Sequence, residues 1–505
     1  MNPRTPLAFF ASLPLLAGCI SVMDLGHNDF AMSGSGAGSG GGGSGPTSGS
    51  TGSTTTTGST TGGGVGGGAC VPAPEQCATP ADENCDGLTP DCSGAHLWSA
   101  IFGDASEQEG IRIAVDSMGA VYLAGDFTGT INLGGGSLKA TAGGYDLFVA
   151  KFDAKGSPVW SKSYAGTGDE IPADIAIDET GAVYVTGNFT NTINLGSGAT
   201  LTSAGGTDLF LAKLSGANGV TVWANRYGDS GNATARGLAV DTSGNPVLAG
   251  HFTSSINFGG GALTSAGGDD IFVAKLNASG VQQWAHNYGD SGYQEAYGLA
   301  VDTSGNVVIV GALAGSTTFG SLATLTSAGG YDAFVAKLNS SGVPQWSKRF
   351  GDGNAQRASS VGVDASGAIY LTGTMGTSID LGAGAVTGAM FAAKLGTSTG
   401  AHQWSKGYAV GIPQMIAVDG AGNPVIVGGT AATGDALALK LDGSTGSTQW
   451  SKTFGDSANQ AAFGVAFDIG ANVYLTGWAE GTIDLGGGGL KSAGGRDAWI
   501  AKLAP

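Results

Sequence analysis

The sequence predicts an all-β fold, a seven-bladed β-propeller of four-stranded antiparallel blades, and two observations predict it. Gln-Trp-Ser-Lys or a near variant returns seven times, at Trp98, Trp160, Trp223, Trp284, Trp346, Trp404 and Trp450. Each copy closes a string of short apolar runs separated by turn residues, and a period of about 60 residues made of several β-runs specifies propeller blades rather than a thin solenoid. The chain ends supply the second observation. The last repeat stops at Asp497 to Pro505 without a Trp-bearing strand, while Leu97 to Phe102 carries Trp98 with no blade before it. Pairing the N-terminal strand with the C-terminal blade completes the seventh blade and removes two exposed strand edges.

One repeat gives the elements. Ala173 to Ile177 is an apolar run, Asp178 to Gly181 a turn, and Ala182 to Thr186 a second run; that pattern is a hairpin. Asp208 to Leu214 and Val222 to Tyr227 are the third and fourth strands. The first strand carries a small residue in every copy, Ala114, Ala176, Ala239, Ala300, Gly362, Ala417 and Ala466, and the last carries Trp. Blades converge at the hub and diverge at the rim, so small residues inside and large aromatics outside fit a wedge, and the tryptophans are expected to pack.

Polar residues recur with the same period. Lys151, Lys213, Lys275, Lys337, Lys394, Lys440 and Lys502 end the third strand, and Asp opens it in six copies. Asp116, Asp178, Asp241, Asp302, Asp364, Asp419 and Asp468 precede Asp-x-x-Gly-like turns. Residues identical in every blade are expected to be structural. The segment between second and third strands has twenty residues in the first blade, between Gly125 and Asp146, but six between Gly428 and Asp435. It reads as a removable loop on the face that also carries the blade-to-blade connections, where recognition is expected.

Ahead of the propeller, residues 96–505, lie three shorter segments. Residues 1–18 hold Arg4, an apolar run from Leu7 to Leu16 and then Ala17-Gly18-Cys19, too short to span a bilayer and read as a signal peptide. Residues 19–69 are dominated by Gly, Ser and Thr, which cannot bury enough apolar surface to fold. As a Gly-rich coil of about 50 residues it spans roughly 40 Å. Residues 70–95 hold Cys70, Cys77, Cys85 and Cys92, expected as two disulfides whose pairing is open among three arrangements. Asp82, Glu83, Asp86 and Asp91 offer hard oxygen ligands of the kind Ca²⁺ takes. They lack the alternating spacing of a Ca²⁺ loop, so an acidic, solvated loop pinned by disulfides is the plainer expectation, and no other cofactor is expected.

The net charge of −18 opposes phosphate backbones, so nucleic acid is not an expected partner. No nucleophile elbow, zincin helix or phosphate loop occurs in the chain. The residue after the second strand's Gly differs from blade to blade, giving ligand-face candidates Asp126, Asn188, His251, Thr374 and Trp478. They can form a polar ring that holds a ligand, or vary freely at a solvated rim.

Three resemblances extend this reading. Leu16-Ala17-Gly18-Cys19 resembles a bacterial lipobox, which implies cleavage before Cys19, lipidation of its thiol and anchorage in the cell envelope, at the outer membrane, through the lipid alone. Glu83-Asn-Cys85-Asp-Gly87 resembles a motif of myxobacterial exported proteins often labelled metal-binding. Phe272-Val-Ala-Lys-Leu276, Gln345-Trp-Ser-Lys348, Gly298-Leu-Ala-Val-Asp302 and Asn472-Val-Tyr-Leu-Thr-Gly477 together resemble the bacterial propeller repeat known as SBBP over about 410 residues. The resemblance implies an exported propeller and maps no catalytic residue. The expected function is a non-catalytic binding or interaction module for a glycan or an envelope protein. A hydrolase or lyase acting on polysaccharide at the propeller mouth is the alternative, and a passive surface protein the second.

Overall fold

The computed structural model describes residues 93–505 except 142, 197, 199 and 410; Cys19, the cysteines 70 to 92 and the acidic candidates Asp82, Glu83, Asp86 and Asp91 lie outside the described residues. Seven antiparallel blades of four strands follow one another along the chain, and the outer strand of blade 1 also pairs with a short hairpin of blade 2, Ile193 opposite Gly166. Blade 1 is Gln108–Val115, Val121–Phe127, Asp146–Phe152 and Pro158–Gly166. The inner strands of blades 2 to 6 are Glu170–Ile177, Ala233–Val240, Tyr293–Val301, Gln356–Val363 and Ile412–Val418. Blade 7 is Gln460–Phe467, Val473–Ala479, Asp497–Leu503 and, from the other end of the chain, His96–Phe102. The closing register runs antiparallel from Trp98 opposite Lys502 to Phe102 opposite Ala498. The ring is closed as the sequence predicts.

The inner strands start earlier than the apolar runs suggested, Glu170 rather than Ala173 in blade 2, because each contains a bulge. The pairing skips one residue at the same place in all seven: Ile111, Ala173, Arg236, Tyr297, Ser359, Gln414 and Phe463. A bulge bends its strand and re-aims the unpaired residue. The small residue that follows lets the next blade approach: a Cβ on Gly362 would lie 2.9 Å from Val418 of blade 6.

The segment between second and third strands is not a free loop. In six blades it forms a two-stranded hairpin, such as Thr130–Asn132 with Ser137–Lys139, and blade 6 alone lacks it. Ile131, Ile193, Ile256, Ile379 and Ile483 of these hairpins are buried, so the segment adds to the core instead of varying freely.

The tryptophans pack between blades. Each indole lies against a glycine in the last turn of the following blade: Trp160 on Gly219, Trp223 on Gly280, Trp284 on Gly342, Trp346 on Gly400, Trp404 on Gly446, Trp450 on Gly94 and Trp98 on Gly156. These glycines have φ between +62° and +83°, which disfavours any side chain. A Cβ on Gly446 would sit 2.6 Å from Trp404, whereas Gly259, at φ +117°, has nothing within 4 Å. Gly446→Ala is therefore expected to cost about 2–4 kcal/mol from backbone strain plus overpacking, and Gly259→Ala roughly 1 kcal/mol from strain alone. Denaturant unfolding of the two variants checks this; equal losses would refute the interblade latch.

Candidate functional site

Most charged side chains in the ring are committed to the repeat. Each turn aspartate accepts from the backbone N–H groups two and four residues on, as Asp116 does from Met118 at 3.0 Å and Ala120 at 2.9 Å. Six third-strand lysines reach these aspartates: Lys275 lies 2.8 Å from Asp241, Lys337 3.0 Å from Asp302 and Lys502 3.1 Å from Asp468. Lys151 and Trp160 both donate to the Gly216 carbonyl of the next blade, each at 3.1 Å, and Lys394 and Trp404 share that of Gly443. Five third-strand aspartates are buried and accept from upstream backbone, as Asp270 does from Ala266 at 3.0 Å, while Asp435 of blade 6 is half-buried and accepts from the Thr433 hydroxyl. A charged residue present in every blade is thus a rivet, as expected.

One repeated device has no counterpart in the sequence reading. In the blade-to-blade loop, Asp104 accepts from Ser106 N and Gln108 Nε2, both at 2.8 Å, and from Thr130 N of the hairpin at 2.8 Å. Asp290 with Gln294 and Asp456 with Gln460 repeat it. A Gly-Asp followed four residues later by Gln was its visible signal.

The side chains that break the repeat gather on the inner strands near their N-terminal ends, the end carrying the hairpins. On blades 1 to 5, Arg112 Nε stands 4.0 Å from Asp174 Oδ1, and Asp174 also accepts from Ile175 N at 2.9 Å and Leu238 N of blade 3 at 2.8 Å. Burial outweighs their attraction: the Asp174 carboxyl is pushed up to about 6 and the Arg112 guanidinium is shifted down. Tyr297 donates to Glu295, accepts from Arg357 at 2.7 Å, and Arg357 lies 3.9 Å above the Tyr331 ring. Arg236 occupies the bulge of blade 3, and His251 lies opposite Thr234 on the adjoining strand. Burial, then the Arg236 charge, hold the His251 imidazole well below its ordinary value, so it is neutral.

A second, acidic arc spans blades 7 and 1. Arg496 lies 4.3 Å over the Trp478 ring and pairs with Glu109 at 2.7 Å, with Glu480 at 3.6 Å and Glu107 at 3.7 Å. Burial, then Asp126 and the nearby glutamates, push the Tyr145 hydroxyl up to about 12.

The five ligand-face candidates occupy equivalent positions on second strands, but not a solvated rim. Asp126 (0% exposed), Trp478 (2%) and His251 (8%) are buried, and Thr374 and Asn188 are half-buried. Asn188 staples blade 2 to blade 3 through Ala235 N at 2.7 Å. His251 belongs to the basic arc, and Asp126 and Trp478 to the acidic one. Sequence reasoning missed Arg112, Asp174, Arg236, Glu295, Tyr297 and Arg357, each a singleton without a motif. Among the remaining histidines, His96 and His402 bond Ser99 and Ser405 at 2.9 and 3.0 Å, and His286 stacks on Trp284. At the rim, a groove of about 400 Å³ between blades 2 and 3 is lined by residues including Arg226, Tyr227, Phe258 and Gln282, but its Arg226 is tied to Asp208.

Among the described residues, no three His, Cys, Asp or Glu side chains gather as a metal site, and no helix is long and apolar enough to cross a membrane. No protein-family model matches the chain. It is 24% identical over 265 residues to an uncharacterised WD repeat-containing protein of Acanthamoeba polyphaga mimivirus, a match covering 43% of this chain and 19% of that relative's length. Similar solved structures include the WD40 repeats of RRP9 (TM-score 0.44, 9% identical, 81% of this chain and 99% of that one). BamB from Moraxella catarrhalis is another (TM-score 0.36, 12% identical, 80% and 96%). These are likenesses of fold.

Proposed function

We propose that the chain is a cell-envelope lipoprotein whose propeller is a recognition module, with its ligand entering at the hairpin-face mouth of the hub. The observation that carries the second part is where the repeat fails. The repeated Asp and Lys positions serve the ring itself, whereas the unrepeated charged and aromatic side chains meet at one end of the inner strands, and convergent polar groups on a rigid scaffold are what recognition requires. The polysaccharide hydrolase or lyase reading is the weaker one: Asp174, whose carboxyl titrates nearest neutrality, already accepts two backbone N–H groups. Binding of a glycan and envelope-component panel to the full-length protein tests the module. Arg357→Ala and Trp478→Ala are expected to weaken the hit at least tenfold, and a hit untouched by both would place recognition elsewhere.

The anchor rests on Leu16-Ala17-Gly18-Cys19 following a short apolar run. Buried acyl chains supply the membrane affinity, so Cys19→Ser is expected to move the protein from the detergent to the aqueous phase. Unchanged partitioning removes the lipoprotein reading. The repeat itself we assign to the SBBP type on the phrases around Trp346 and Phe272, with the four cysteines that precede the propeller in the chain as two disulfides.

A further inference from the structure

The ion pairs of the ring leave one arginine over among the described residues. Of the six arginines among the described residues, five face a carboxylate: Arg112 with Asp174, Arg226 with Asp208, Arg349 with Asp332, Arg357 with Glu295 at 3.9 Å and Arg496 with Glu109. Arg236 faces none, and its Nε is buried without a hydrogen-bond partner. Two further side-chain nitrogens are in the same condition among the described residues. His251 Nδ1 is buried and unbonded on a side chain only 8% exposed, and Arg357 Nε is likewise unbonded.

Position explains why these groups converge. Arg236 and Tyr297 are the bulge residues of adjacent inner strands, at the one point in each where the ladder is interrupted. Arg236 exerts its charge on Arg112, His251 and Tyr297 alike. The connected set thus holds three guanidiniums, Arg112, Arg236 and Arg357, with the carboxylates Asp174 and Glu295 paired to the first and the last, Asp269 acting on Tyr331 beneath Arg357, and His251 neutral. Arg236 alone of the three guanidiniums has no carboxylate within ion-pair distance among the described residues. An unpaired cation held in place and partly withdrawn from water is costly unless an anion meets it, and a guanidinium with free N–H groups matches the two oxygens of a carboxylate.

We propose that Arg236, with His251 and Arg357 beside it, is the seat of a single carboxylate group of the ligand, such as that of a uronic acid. This rests on the reading of the hub mouth as the recognition site and names the chemistry recognised there. A carboxylate monoanion gives Arg236 the partner it lacks, whereas a phosphate dianion would bring a second negative charge next to Asp174, Glu295 and Asp269. The acidic arc of Glu107, Glu109 and Glu480 confines the anion to blades 3 to 5.

The test uses the full-length protein at low ionic strength, with sodium acetate, D-glucuronate, inorganic phosphate and neutral D-glucose as probes, read by calorimetric titration and by the unfolding midpoint. Acetate and glucuronate are expected to bind competitively and raise the midpoint, with phosphate at least tenfold weaker and glucose silent. Acetate alone binding assigns the site to a free carboxylate, and tighter glucuronate assigns it to an acidic sugar. Arg236→Met, which keeps the apolar stem, should weaken carboxylate binding at least tenfold and raise the ligand-free midpoint, because the unpaired charge is gone. Arg236→Lys keeps the charge without the fork and should weaken binding by a smaller factor. It serves as the test if the Met variant does not fold. Phosphate binding as tightly as the carboxylates, or no carboxylate binding at all, overturns the proposal. Binding that survives Arg236→Met but is lost in Arg357→Ala defeats the seat while leaving the hub reading intact, and binding indifferent to both defeats each.

Discussion

Deleting residues 93 to 102 is expected to open the ring at blade 7 and speed hydrogen exchange in Asp497–Leu503, about 400 residues away in sequence, by 10²–10³-fold. The segment gives blade 7 its outer strand, paired from Trp98 opposite Lys502 to Phe102 opposite Ala498, and Ala504 N donates to Ala95 O at 2.7 Å just beyond. Trp98 is half-buried; losing a large aromatic of this kind together with the strand's ladder costs about 3–5 kcal/mol, and each 1.4 kcal/mol is a tenfold change in an opening equilibrium. The deletion also removes Gly94, the surface on which Trp450 of blade 6 rests. Both seams of the closing blade are the weaker ones already. Trp160, Trp223, Trp284, Trp346 and Trp404 donate their indole N–H to a carbonyl of the next blade at 3.0–3.1 Å, while Trp98 Nε1 and Trp450 Nε1 are buried without a partner among the described residues. Exchange should therefore rise first in blade 7, then in its neighbours, blades 6 and 1, and last in blades 3 and 4. Hydrogen-exchange mass spectrometry reads this order directly; a uniform rise, or none in Asp497–Leu503, would mean that closure does not hold the ring.

How much was legible follows from what repeats. Seven tryptophans, seven lysines and seven turn aspartates made the blade number and the closure readable, because each recurs at an equivalent place in a blade. Their partners were not readable. That Trp160 and Lys151 share the Gly216 carbonyl is a relation between blades, and one blade's pattern holds no sign of it. The hairpins were visible as Thr130-Ile-Asn132 and its copies, yet strands of two or three residues fall below what alternation can detect. The bulges were hidden for the opposite reason: the bulged residue is Ile, Ala, Arg, Tyr, Ser, Gln or Phe, so position alone defines it. The hub mouth inherits that difficulty. Its members stand at equivalent places but differ in chemistry, so only the second-strand candidates such as His251 and Trp478 could be picked out, and Arg236 and Tyr297 could not.

The last expectation concerns a fault in the repeat. Gln108, Gln294, Gln356 and Gln460 open their inner strands, and Gln108 spends its amide on Asp104 Oδ1 at 2.8 Å and Thr128 O at 3.0 Å while its oxygen accepts from Asp104 N at 3.1 Å. Blade 2 has Glu170 instead. It is fully buried, one oxygen accepts from Gly166 N at 3.0 Å, and its carboxyl lies within hydrogen-bond reach of the Asp146 carboxyl. Burial first, then neighbouring Asp146, push its carboxyl up to about 9. An acid whose value is raised on folding stabilises the fold fully only below its unfolded value, near 4.3, and that stability is lost as pH rises toward 9, because the folded chain must hold a proton that the unfolded chain releases. Glu170→Gln removes the titration and restores the residue found in four other blades. The variant should match the wild type near pH 5 within about 1 kcal/mol and exceed it by about 2–4 kcal/mol at pH 8, since each unit of difference is worth at most about 1.4 kcal/mol. The Asp174 carboxyl, raised to about 6, titrates in both proteins and cancels from the comparison. Denaturant unfolding of the pair at pH 5, 6.5 and 8 measures the gap. A gap that stays constant with pH would show that Glu170 is ionised in the folded ring and held there by something other than its proton.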